Sequence, residues 1–175
     1  MNRVVVWLRA HEQRMFMWVN QRLHHRALNT FFSAATHLGG ATFTIASSLV
    51  LGIAGKGAVG LAGWQALAAL AASHVPVAVC KRAFPRLRPY QVWPQTKTGR
   101  NPLADHSFPS GHTTAIFSLV VPFSLLHPGL AAALLPLATL VGLSRMYLGL
   151  HYPSDCLVGM ALGSSAGFIS AAVLG

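Results

Sequence analysis

Acidic residues are nearly missing from this sequence. Glu12, Asp105 and Asp155 are the only three among 175 residues, and Asp, Glu, Lys and Arg together make up 9% of the chain. Soluble domains carry about 25% charged residues, so a polar shell facing water on all sides is excluded. Cysteine is as scarce: Cys80 and Cys156 form no CxxC pattern and stand at no metal-ligand spacing from a histidine. That removes a disulfide scaffold and a zinc ribbon, and leaves two small apolar residues at helix ends. Also missing is any dense basic run with interleaved aromatics, so the 13 Lys and Arg do not make a nucleic-acid-binding surface.

Apolar runs fill the space that charge leaves. Hydrophobic residues reach 53%, gathered in stretches 30–54, 58–80, 110–127, 129–147 and 155–174. Each is close to the ~20 residues that a spanning helix needs. The pattern predicts an all-α, polytopic membrane helical bundle of about five spanning helices, in one domain over 1–175. Pro122 and Pro136 lie inside their runs and predict kinks. Residues 1–28 differ, because Arg3, Arg9, Glu12, Arg14, Arg22 and Arg26 interrupt short apolar pieces. This segment reads as an amphipathic helix at the membrane surface, and its charges from Arg9 to Arg14 break the apolar region too early for a cleavable signal.

Alternating the five spans across a bilayer places 1–29, 82–109 and 148–154 on one side. Those segments, with Lys81 and Arg145 at the span ends that face them, hold every Lys and Arg except Lys56. Anionic lipid and a phosphate-bearing substrate are the partners that such a balance favours. The segment 82–109 is long for a connector and punctuated by Pro85, Pro89, Pro94 and Pro102, which marks it as a functional loop. Gly159, Gly163 and Gly167 form a small-xxx-small stripe on the last helix, available for close packing within the chain or for a homo-oligomer.

Three polar clusters fall at the same end of the predicted spans. Lys81 and Arg88 offer a point charge and a guanidinium fork to one small anion. Ser110, Gly111 and His112 open a helix, where a cap, a residue without Cβ and free N–H groups make an anion cradle. Arg145 precedes His151 and Asp155, and the Asp155 carboxylate comes within reach of the imidazole at the start of the last helix. One ring nitrogen then holds a proton toward Asp155 while the other is free to attack, which is nucleophile-and-orienter logic with phosphorus as the fitting electrophile.

Lys81-x6-Arg88-Pro89, Pro109-Ser110-Gly111-His112 and Ser144-Arg145-x5-His151-x3-Asp155 resemble the three signature motifs of the type 2 phosphatidic acid phosphatase family, with every specified residue present. The resemblance covers the chain from about residue 30 to its end. It implies a lipid phosphatase working without a metal or other cofactor. His151 attacks phosphorus, Asp155 orients it, His112 protonates the leaving oxygen, and Lys81, Arg88, Ser110, Gly111 and Arg145 hold the phosphoryl group. Phosphatidate, phosphatidylglycerophosphate and polyprenyl diphosphates all present the same group to these residues. Six membrane helices are usual in the family, and this chain lacks a credible first one. The implied location is the cell membrane. Bacterial relatives often place the site outside the cytoplasm, whereas the excess of Lys and Arg argues for the inside, so the sequence leaves the facing open. The competing readings are a metal-dependent hydrolase using Asp105, His106, His112, His151 and Asp155, a vanadate-binding haloperoxidase, and a catalytically silent protein that binds lipid headgroups.

Overall fold

The structure is a computed structural model that describes residues 3–99 and 102–175. Among these the regular elements are all helical: α1 Arg3–Met17, α2 Arg26–Ala35, α3 Ala41–Ala54, α4 Ala58–Ala83, α5 Pro89–Val92, α6 Gly111–Ser124, α7 Pro128–Tyr147 and α8 Pro153–Leu174. A π-helical turn, Trp18–Arg22, extends α1, and a 3-10 turn, Thr36–Gly39, follows α2. The all-α membrane bundle expected from the sequence is the architecture found.

The span count departs from five. α4, α7 and α8 are long and apolar enough to cross a bilayer alone, and α2 with α3 makes a fourth span only as a pair bent by 53°. The break has a local cause. A Cβ on Gly39 would lie 2.7 Å from the His112 carbonyl oxygen and from Val141 Cγ1, so the chain presses backbone to backbone against the start of α6. Gly40 then turns extended and caps α3. The predicted run 110–127 is a helix of only 14 residues, α6. At 1.5 Å per residue it is about 21 Å long, short of the ~30 Å hydrocarbon core. It ends in a turn at Leu125–Leu126, and the His127 side chain caps α7 through the Gly129 N–H at 3.0 Å.

α6 is the central post. Ile116, Phe117, Leu119, Val120, Val121 and Phe123 are buried against Ala62 and Ala66 of α4 and Ala138 and Val141 of α7. Against α8 the approach is closer still. A Cβ on Gly159 would meet the Ser110 carbonyl oxygen at 2.7 Å, on Gly163 the Thr114 carbonyl oxygen at 2.3 Å, and on Gly167 Val121 Cβ at 2.7 Å. The glycine stripe is therefore engaged inside the chain, the first of the two uses expected for Gly159, Gly163 and Gly167. The small residues serve dispersion contact between helices, since lipid offers no hydrophobic drive to pair them.

A second core forms where the N-terminal segment meets the ends of α7 and α8. Phe16, Val19 and Phe32 bury themselves with Met146, Tyr147 and Cys156, and Trp93 packs on from the loop. The opposite face of α1 leaves Val4, Trp7, Leu8, Met15 and Trp18 exposed. Asn20 fastens the two halves together, donating to the carbonyls of Lys97 and Tyr147 at 2.8 Å each and accepting from the Lys97 N–H at 2.9 Å.

Candidate active site

All eight residues singled out by the motifs lie at one end of the bundle. Lys81 occupies the last turn of α4, Arg88 caps α5, Ser110 caps α6, Gly111 and His112 open it, Arg145 sits in the last turn of α7, and Asp155 stands in the first turn of α8. The end is knitted by backbone as well: Ser110 N–H donates to the Asp155 carbonyl at 3.0 Å, and the His151 N–H donates to that of Arg145 at 3.3 Å.

Arg88 is fully buried and uses its whole fork. Nε donates to the Asp105 carbonyl at 2.8 Å, Nη2 to Asp105 Oδ1 at 2.7 Å, and Nη1 both to the Leu150 carbonyl at 2.8 Å and to His151 Nε2 at 3.1 Å. A guanidinium only donates, so Nε2 is the acceptor nitrogen and the ring proton belongs on Nδ1. Nδ1 in turn faces Asp155 Oδ2 at 3.5 Å, an ion-pair separation longer than an ordinary hydrogen bond. His151 thus turns Nδ1 toward Asp155 without a hydrogen bond to it, and its lone pair lies on the side of the cations. Burial pushes the His151 imidazole down to about 4; Asp155 works against that, while Arg145 and Arg88 add to it. At neutral pH the ring is uncharged.

Asp155 is completely buried and fully subscribed. Oδ1 accepts from Arg86 Nη1 at 2.8 Å; Oδ2 accepts from the Tyr152 N–H at 2.9 Å and from the Ser107 hydroxyl. Arg145 donates from Nη1 to Thr36 Oγ1 at 2.6 Å, while its buried Nε and Nη2 have no acceptor within the protein. Buried guanidinium N–H groups of that kind are costly, and they suit an anion's oxygens. Ser110 Oγ pairs with Thr113 Oγ1 at 2.9 Å and accepts the Thr113 N–H at 3.5 Å, an ordinary N-cap.

Beside these groups a cavity of about 750 Å³ opens between α3, α4 and α6. Lys81, Asp105, Gly111 and His112 line its polar end, and Ile45, Leu67, Leu70, Ala71, Val77 and Ala115 continue it along the bundle. No Cβ clash awaits Gly111, so the backbone there is open to whatever enters.

Sequence reading undervalued several residues. Asp105 reads as a solvated loop residue, yet it bridges Lys81 and Arg88. The two cations hold its carboxyl at about 2 although burial alone would raise it. Arg86, Glu12, Ser107 and Thr36 carry no motif at all; only the second arginine two positions before Arg88 gives a signal. Among the described residues no three His, Cys, Asp or Glu side chains cluster as metal ligands. Asp105 and Asp155 are committed to Lys81, Arg88 and Arg86 instead.

The chain is 35% identical over 97 residues to the lipid A 1-phosphatase of Rhizobium etli, covering 53% of this chain and 42% of that one. To the undecaprenyl-diphosphatase of Sulfolobus acidocaldarius it is 34% identical over 93 residues, 53% of this chain and 45% of the relative. The match thus spans less than half the length of these curated relatives. The crystal structure of Aquifex aeolicus LpxE superposes with a TM-score of 0.81 at 29% identity, covering 90% of this chain and 93% of that one. Residues 62–174, more than half of the sequence and the part that carries all three clusters, match the PAP2 superfamily, and the chain belongs to that family.

Proposed function

We propose that this protein is a membrane phosphatase that hydrolyses a lipid phosphate or lipid diphosphate through a phosphohistidine on His151, without a metal. The observation that carries the reading is the orientation of His151, with Nε2 against Arg88 and Nδ1 toward Asp155, beside a mostly apolar cavity that Lys81, Asp105 and His112 line at one end. The phosphate would lie among Lys81, Arg88, Arg145 and the Gly111 backbone, and the lipid chain along α3 and α4. Relatives named for lipid A and for undecaprenyl diphosphate support the lipid class. The cell membrane is the proposed location.

In the first step Arg88 Nη1 leaves His151 Nε2 for a phosphoryl oxygen, the freed lone pair forms the N–P bond while the P–O bond to the lipid breaks, and His112, protonated beside the phosphate's negative charge, gives its proton to the leaving oxygen. Positive charge grows on the His151 ring as this happens, and Asp155 offsets it. In the second step water attacks phosphorus, the P–N bond breaks, and His112 recovers a proton from that water. The cations and N–H groups stabilise charge on the phosphoryl oxygens, where phosphoryl transfer gains most of its rate.

The test is phosphate release by purified protein in detergent, with EDTA present, over a panel of phosphatidate, phosphatidylglycerophosphate and polyprenyl diphosphate, against His151→Ala. Release that survives EDTA and disappears in the variant is expected. Release abolished by EDTA would establish the metal reading, and no release from any lipid the silent binding protein.

A further inference from the structure

Asp155 has a charged partner that lies outside the three motifs. Arg86 Nη1 reaches Asp155 Oδ1 at 2.8 Å and Ser154 Oγ at 2.8 Å, while Nη2 reaches Glu12 Oε2 at 2.6 Å. Glu12 also accepts the Ser154 N–H at 3.2 Å and the Ser154 hydroxyl through Oε1. The guanidinium carbon of Arg86 lies 3.6 Å from the centre of the Tyr152 ring, which fixes its plane. Its backbone carbonyl accepts from the Ser107 N–H at 2.8 Å, and the Ser107 hydroxyl donates to Asp155 Oδ2. Arg86 therefore touches Asp155 by one route through its fork and by a second through Ser107. Glu12 closes the ring from α1, the surface-seeking helix.

We propose that Arg86, aimed by Glu12, is a positioning residue for the Asp155–His151 pair, so that the N-terminal helix helps set the turnover rate. This rests on the reading of His151 as nucleophile. A buried carboxylate stays ionised only when paired, and Asp155 has to be ionised to offset the charge that develops on His151 during attack. His151 is met from other elements by Arg88 and Arg145, both cations, which makes Asp155 its sole anionic neighbour among the groups that act on it. Losing Arg86 raises the proton affinity of Asp155 and frees Oδ1 to rotate. The phosphate-binding groups Lys81, Arg88 and Arg145 are untouched by the change.

Arg86→Gln is expected to lower kcat about ten- to a hundredfold at a KM within about twofold of wild type, in line with the usual worth of a correctly held acid–base partner. The acid limb of its pH–rate profile should move up by at least about one unit, the smallest shift expected for a carboxylate losing a cation at this distance. Arg86→Lys should recover part of the rate. Glu12→Gln should lower kcat several-fold at constant KM, and the double variant should be no slower than Arg86→Gln, because the two act in series. Wild-type kcat and an unshifted acid limb in Arg86→Gln, with His151→Ala inactive, would overturn the proposal and leave the histidine mechanism standing. Activity surviving in His151→Ala would instead sink the mechanism itself. Should Arg86→Gln fail to fold, Glu12→Gln decides: unchanged kcat rejects the proposal, and a loss in kcat alone upholds it.

Discussion

The Arg88 guanidinium donates to His151 Nε2 at 3.1 Å. One hydrogen bond thereby assigns the tautomer and brings a cation to the nitrogen proposed to attack phosphorus. The partner on the other side of the ring is Asp155, and its removal tests the arrangement. Asp155→Asn keeps the shape and loses the charge, and phosphate release is expected to fall by about a hundredfold or more. Steady-state kinetics on the preferred lipid measure it.

Acid should affect rate and stability in one direction. His151 titrates at about 4 in the folded protein against an ordinary 6.5. Between those values the unfolded chain binds a proton that the folded one refuses, so stability is full above about 6.5 and is lost as pH falls toward about 4. Thermal unfolding in detergent at pH 7.5 and at pH 5 is expected to show a lower midpoint in acid, and His151→Gln should reduce that difference. On the proposed mechanism the rate falls at the acid limb as His151 gains a proton and can no longer attack.

Asp105 holds two of the cations proposed to bind phosphate. Its carboxylate bridges Lys81 and Arg88, so on that reading both bonds loosen before phosphoryl oxygens take them over. Asp105→Asn removes the competing charge, and inorganic phosphate is expected to inhibit the variant several-fold more tightly than wild type, read as a lower inhibition constant.

Two glycines should respond in opposite ways. Gly163→Leu drives a side chain into the Thr114 carbonyl, and a loss of about 1–3 kcal/mol or more in stability is expected from overpacking alone. Gly111→Ala meets nothing within 4 Å, so its unfolding midpoint should match wild type while its turnover falls. Thermal melts beside activity assays separate the two effects.

Chain recognition has its own test. Ala71→Phe fills the apolar part of the cavity without touching the cations. Release from a long-chain lipid phosphate should drop at least about tenfold, while a small soluble phosphoester keeps its rate.

The motif residues were legible because their spacing is local: Ser110 with His112, and His151 with Asp155, are separated by less than a helix turn or little more, and helix geometry carries them to one end. Glu12 and Arg86 were not, since they meet across a separation of 74 residues that no periodicity records. Hydropathy found the apolar runs but missed the bend at Gly40, which depends on how near His112 and Val141 approach Gly39. It also overcounted α6, because a helix walled in by neighbours and a helix bathed in lipid are equally apolar. Asp105 looked solvated for the converse reason: its partners lie in α4 and at the cap of α5.

The broken span has a consequence for how such a protein diversifies. Its upper piece ends in Thr36, which holds Arg145, whereas its lower piece contributes Thr44 and Ile45 to the apolar cavity. A single straight helix would tie these duties together, so that reshaping the cavity would tilt the arginine. With the joint at Gly40, a change at Thr44 or Ile45 reshapes the cavity without tilting the Thr36 hydroxyl that holds Arg145.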